Sequence, residues 1–140
     1  MEPKAAIEKF NSYLKTVPGY SKETFELALP FIQVKNLKKG EHFVERDKTC
    51  KHFAFVASGI MRAYTLFDGT ESTTCLCNDN TFATSTISFI TQTPSNVSIQ
   101  ALEDVTLVLI SHENLNLLYS KSPFWEKVGR VVAEREYIEL

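Results

Sequence analysis

The residues best placed to do chemistry are the hydroxyls crowded between Asn80 and Ala101: Thr84, Ser85, Thr86 and Ser88, then Ser95 beside Asn96. Thr81-Phe82 reads as the end of a strand. A short helical turn follows, broken by Thr93-Pro94-Ser95, and a strand is expected over Asn96 to Ala101, where Val97 and Ile99 alternate with polar residues. A strand, one helical turn and a returning strand leave backbone N–H groups at the helix start facing a concavity, a setting that suits an anion. The same composition also fits a loop rich in turn-formers.

Cysteine and histidine chemistry is less well supported. Cys75 and Cys77 lie two apart on an expected strand and so share a face. With Cys50 they supply three soft ligands, short of the four that a zinc or iron–sulfur site uses, and no Cys-x-x-Cys is present. They are expected to be ordinary buried cysteines, and an odd count in one chain fits a reducing compartment. His42, His52 and His112 are too dispersed for a metal centre of the cupin kind, and no metal is expected. There is neither a Gly-x-Ser-x-Gly elbow nor a phosphate-binding P-loop, so no catalysis is expected.

These residues must be positioned by a framework that changes period twice. Pro3 to Lys15 reads as a helix with Ile7, Phe10 and Leu14 on one face; Ser21 caps a second, which Pro30 follows. From Phe31 to Ser111 the pattern is that of strands. Phe31–Leu37 is one, Phe53–Ala57 is continuously apolar like a central strand, and Asp68-Gly69 marks a hairpin between Ile60–Leu66 and Thr70–Cys77. Within the first of those hairpin strands, Arg62 is the one charge. Helical periodicity then returns. Ser111 caps a helix bearing Leu115, Leu118 and Tyr119, and Ser122-Pro123 starts another whose stripe carries Phe124, Val128, Val131, Val132 and Ile138.

Four stretches resemble the cyclic-nucleotide-binding domain of Crp/Fnr-type transcription regulators. They are Leu37–Phe43, Phe53–Tyr64 with its Ser-Gly turn, the Asn80–Ala101 segment, and Gln100-Ala-Leu-Glu-Asp through Ser111, so that the likeness spans about residues 20 to 140. The resemblance implies an antiparallel β-roll, or jelly roll, with N-terminal helices over 1–30, the roll over 31–111 and C-terminal helices over 112–140, all in one domain. It also makes Asn80–Ala101 a phosphate-binding cassette, and favours a polar pocket there over a mere loop. Phe82, Ala83, Thr84, Ser85, Thr86, Ser95, Asn96, Val97 and, from the last helix, Arg135 become candidate ligand residues.

The family pattern has Phe-Gly-Glu in the cassette, with the Glu on the ribose hydroxyl, and an Arg on the cyclic phosphate. Here Thr84 stands at the Gly position, Ser85 at the Glu and Ser95 at the Arg. A neutral hydroxyl replaces a fixed cationic fork. Tight cyclic AMP binding is therefore not expected, and the effector would be another small anionic or nucleotide-like molecule. In the same family the last helix pairs two subunits and leads into a helix-turn-helix domain. A homodimer is expected through Trp125, Val128, Val131, Val132 and Ile138. DNA would be contacted only through a helix-turn-helix outside this chain, or the domain acts without one, as a free-standing interaction module with a vestigial pocket.

Composition agrees with a packed domain without an intrinsic hold on nucleic acid. Hydrophobic residues make up 44% of 140, and the formal net charge is −2. Nothing here builds the basic face of a chain that grips a phosphate backbone; Lys35, Lys38 and Lys39 read as a solvated turn. No apolar run reaches membrane-spanning length and no secretory segment opens the chain, so the cytoplasm is the expected location.

Overall fold

A computed structural model describes residues 1–138, with side chains through Arg135. Two helices open the chain. α1 spans Pro3–Leu14 and buries Ala6, Phe10 and Leu14, four residues apart, on one face. α2 spans Lys22–Ala28; the Ser21 hydroxyl accepts from the Thr24 N–H at 3.2 Å, and the Thr24 hydroxyl accepts from the Ser21 N–H at 3.1 Å. This reciprocal pair satisfies two donors that the first turn would otherwise leave open.

Among the described residues seven strands follow, all paired antiparallel: β1 (Gln33–Leu37), β2 (His42–Val44), β3 (His52–Ser58), β4 (Met61–Phe67), β5 (Thr70–Cys77), β6 (Ser98–Ala101) and β7 (Val105–Ser111). They form two sheets, β1-β7-β3 and β2-β6-β4-β5. This is the expected antiparallel β-roll with flanking helices. Two strands of the three-stranded sheet are buried: Phe53 to Ala57 of β3 and Val105 to Ile110 of β7 all lie inside, which is why these two read as continuous apolar runs, while β1 leaves Gln33, Lys35 and Asn36 exposed. α1 lies against this sheet, with the Phe10 and Phe55 ring centroids 5.2 Å apart.

Turn chemistry sets the register. Asp68 and Gly69 both take positive φ, 49° and 78°, the primed turn that matches the twist of a two-residue hairpin. Gly59 turns the chain from β3 to β4 at φ +101°, and a Cβ there would lie 2.4 Å from Val105 Cγ1 and 2.6 Å from the Asp104 carbonyl oxygen. Only glycine fits that approach.

Two strands are shorter than expected. β1 begins at Gln33, because Leu29-Pro30-Phe31 closes a 3₁₀ turn through the Ile32 N–H and the Leu29 carbonyl at 3.2 Å. β6 begins at Ser98 rather than Asn96. The Ser95 hydroxyl donates to the Val97 carbonyl at 2.8 Å and accepts from the Val97 N–H at 3.1 Å, folding Asn96-Val97 into a bend.

The remaining helices are α3 (Thr86–Thr91), α4 (His112–Lys121) and α5 (Pro123–Ile138). Ser111 caps α4, its hydroxyl accepting from the Asn114 N–H at 3.1 Å. α5 packs part of its apolar stripe inside the chain itself. Phe124, Trp125 and Val128 are 5%, 0% and 1% exposed within the single chain. Trp125 packs on Phe10 and Phe124 and donates its indole N–H to the Thr24 carbonyl at 2.9 Å. These side chains close the chain's own core, so Trp125 and Val128 do not present a seam to a second copy. Val131 and Val132 are half-buried against that core. The Ile138 side chain lies outside the described residues. Among the described residues no helix is long and apolar enough to cross a membrane.

Candidate functional site

The cassette is built outward from β3. Its entry runs beside that strand: the Val56 N–H donates to Thr81, the Ala83 N–H to Ala54, and Phe82 forms a bridge with Phe55. The Thr84 hydroxyl accepts from the Ala54 N–H at 3.2 Å. Phe82 seats its ring among Phe53, Phe55 and Tyr13, with centroids 4.8, 5.4 and 5.1 Å away. Ala83 is wholly buried. The entry is therefore fixed by an aromatic cluster and a short ladder before the hydroxyl-rich turn begins.

The turn itself closes on its own hydroxyls. Ser85 precedes α3, and its Oγ lies 2.7 Å from Ser95 Oγ; the two residues are 6% and 3% exposed. The two residues expected from sequence at the ribose- and phosphate-recognition positions, Ser85 and Ser95, thus bond to each other. Ser95 is held at its backbone too, donating to the Lys48 carbonyl at 2.9 Å and accepting from the Asp47 N–H at 2.8 Å. Asn96 points to solvent and Val97 is half-buried. The pair offers neutral donors and acceptors, with neither a cation for a phosphate nor a carboxylate for a ribose diol.

Cys50 anchors the turn from below, a role not expected from sequence. Its N–H donates to Ser88 Oγ at 2.8 Å, and its carbonyl accepts from the Gln92 side-chain amide at 3.0 Å. Its thiol donates to the His52 carbonyl at 3.4 Å and takes part in a backbone hydrogen bond with Ser85. Burial raises the thiol pKa. One buried residue so meets the start, middle and end of α3. The partners lie 38 and 42 residues away in sequence, and no local pattern announces them.

Arg135 lies apart from the Ser85–Ser95 pair. Its exposed guanidinium sits 5.4 Å from the Tyr13 ring centroid, and Tyr13 packs edge-on against Phe82. Through that ring it connects to the cassette at Phe82. Burial raises the Tyr13 pKa while the Arg135 charge opposes the rise. An open groove of about 770 Å³ runs along this face, lined by Ala5, Glu8, Lys9, Ser12, Tyr13 and Asn80. It belongs to α1 rather than to the hydroxyl pair.

Other residues singled out by sequence are scattered or differently placed. Arg62 is half-buried on the outer face of β4; it pairs with Glu71 at 2.7 Å and Gln100 at 3.0 Å and stacks over Tyr64. His42 bonds the Tyr64 hydroxyl, His52 opens β3, and His112 packs edge-on against Phe89. Among the described residues no three His, Cys, Asp or Glu side chains converge on a metal position. Cys50 and Cys77 are buried, but Cys75 is exposed, contrary to expectation. β5 lies at a sheet edge, and Cys75 is left exposed there.

Comparison with known proteins agrees with this architecture. The family model described as "Cyclic nucleotide-binding domain" matches residues 34–122. A cyclic nucleotide-binding domain from Methylobacillus flagellatus superposes with a TM-score of 0.83 at 13% identity, covering 95% of this chain and 79% of that one. The sensor domain of the transcriptional regulator DNR from Pseudomonas aeruginosa gives 0.74 at 17%, covering 96% and 88%. The catabolite activator protein of Thermus thermophilus gives 0.75 at 22%; 91% of this chain is covered, but only 59% of that protein. These likenesses are of fold. No curated protein matches the chain in sequence. By the extent of the family match, which carries β3, β4, the cassette and β7, the chain belongs to the cyclic nucleotide-binding domain family.

Proposed function

We propose that this chain is the effector-sensing domain of a Crp/Fnr-like transcription regulator, working as one unit in the cytoplasm and without catalysis. Its effector is a small anionic or nucleotide-like molecule other than tightly bound cyclic AMP. The observation that carries this reading is the Ser85–Ser95 hydrogen bond, at 2.7 Å, across the positions where the family pattern has Glu and Arg. An effector entering the cassette has to open that bond. The change would reach the last helix through Phe82, Tyr13 and Arg135, which stack in sequence. In a homodimer, helix-borne contacts would pass the bias to DNA-binding domains outside this chain; coupling of this kind is a difference in contacts between two states. With Trp125 and Val128 committed to the core, Val131 and Val132 are the candidate seam residues.

Titration calorimetry with cyclic AMP tests the reading. The expected dissociation constant is weaker than about 1 μM, the equivalent of roughly −8 kcal/mol. Tighter binding overturns the loss of nucleotide recognition. The same sample in sedimentation velocity is expected to run as a dimer. A concentration-independent monomer removes helix pairing from the mechanism.

A further inference from the structure

We propose that Cys75 and Cys77 form a redox-active dithiol that closes into an intrastrand disulfide. The two sulfurs lie 3.8 Å apart, in contact. Both side chains point to the inner face of β5, opposite Ala63 and Met61 on β4. The pairing slips between Ala63 and Tyr64, so that Thr74 is an extra residue immediately before Cys75. A bulge bends and twists the strand that carries it. β5 is also the edge of its sheet, with β4 as its sole paired neighbour, and can pucker without breaking a second ladder.

The geometry permits closure. Two steps along a strand span about 6.8 Å between Cα atoms, the upper end of the range that a disulfide bridges. The sulfurs must approach from contact to a bond length of about 2.05 Å. Side-chain rotation and a slight pucker of the edge strand between Cys75 and Cys77 supply that movement.

Exposure divides the roles. Cys75 meets solvent and is the thiol that an oxidant reaches first, whereas Cys77 is 5% exposed and lies behind it, in contact with its sulfur. An accessible cysteine beside a resolving one is the arrangement of thiol redox sites. The oxidant class is a low-molecular-weight disulfide. The Cys75 thiolate attacks one of its sulfurs and expels one small thiolate, leaving a mixed disulfide. The Cys77 sulfur then attacks the Cys75 sulfur and expels the second. The two cysteines lose two electrons and two protons, and the small disulfide gains both, leaving as two thiols.

The test uses the intact chain and glutathione disulfide as the probe, followed by denaturation, alkylation and mass spectrometry. Of the three cysteines, one is expected to alkylate after oxidation, with the chain lighter by two hydrogens and the bridge within the peptide holding Cys75 and Cys77. Cys77→Ser is expected to stop at one glutathionyl group on Cys75. Three alkylated cysteines, a bridge to Cys50 or to a second chain, or a wild-type protein that accumulates the same mixed disulfide as Cys77→Ser, would each overturn the proposal.

Discussion

The buried sheet and the cassette obey opposite rules. In β3 and β7 the apolar side chains are inside, and the rings of Phe10, Phe55 and Trp125 fill the space between sheet and helices. In the cassette, Ile87 and Ile90 of α3 are 75% and 62% exposed, while Ser85, Ser88 and Ser95 are buried. The sheet is stabilised by removing apolar area from water. The cassette is stabilised by satisfying buried hydroxyls and amides, each worth little net but costly if left unmade. Within the cassette it is α3 that buries little apolar surface, Phe89 alone of its three large apolar side chains being buried, and a short helix held mainly by polar contacts sits at the low-stability end of a structure, where ligand-responsive elements are found.

The strongest way to break this contrast is to remove the largest ring from the sheet side. Trp125→Ala deletes a side chain that is 0% exposed and leaves the Thr24 carbonyl without its indole donor. A loss of about 3–5 kcal/mol is expected, as for large-to-small substitutions in cores. It should appear as a lower urea midpoint for the whole chain. A loss under about 1 kcal/mol would mean that α5 is not part of the core.

A smaller and more local effect is expected at the anchor of the cassette. Ser88→Ala leaves the Cys50 N–H and the Thr93 carbonyl without the hydroxyl that joins them. The cost should be about 1–3 kcal/mol, the penalty for a buried polar group left unpaired. Amide exchange should accelerate over residues 85–95 by more than the global stability change accounts for, while β3 and β7 amides follow the global change. Uniform acceleration across both regions would show that the cassette and sheet open as one unit, contrary to the contrast drawn here.

That difference also explains what could be read from the sequence. The continuous apolar run Phe53–Ala57, the Asp68-Gly69 hairpin and the Ser21 and Ser111 caps are local patterns, and each stands where the pattern puts it. The Ser85–Ser95 bond, the Cys50 anchor and the exposure of Cys75 depend on residues brought together from far apart in the chain or on position within a sheet. Periodicity carries no trace of them. α5 shows the limit in another form. Its stripe was legible, but not what the stripe packs on, because an amphipathic helix looks the same whether it meets its own core or a second copy.

His52 joins the two regions and gives the smallest predicted effect. It opens β3 beside the Cys50 anchor, and the Cys50 thiol donates to its carbonyl. Burial, and then the Lys35 and Lys51 charges, lower its pKa below the ordinary 6.5. The folded state therefore holds the neutral ring, and the unfolded chain takes up a proton first as the pH falls. Where the unfolded state binds more protons, stability rises with pH. The contribution is complete above the unfolded pKa and is lost as pH drops from about 6.5 toward the folded value. Urea midpoints measured between about pH 7.5 and 5.5 should decline on the acid side, and His52→Gln, which cannot titrate, should flatten that decline. If the variant and the parent fall in parallel, the proton is taken up elsewhere, and the junction between sheet and cassette is not the acid-sensitive point of the fold.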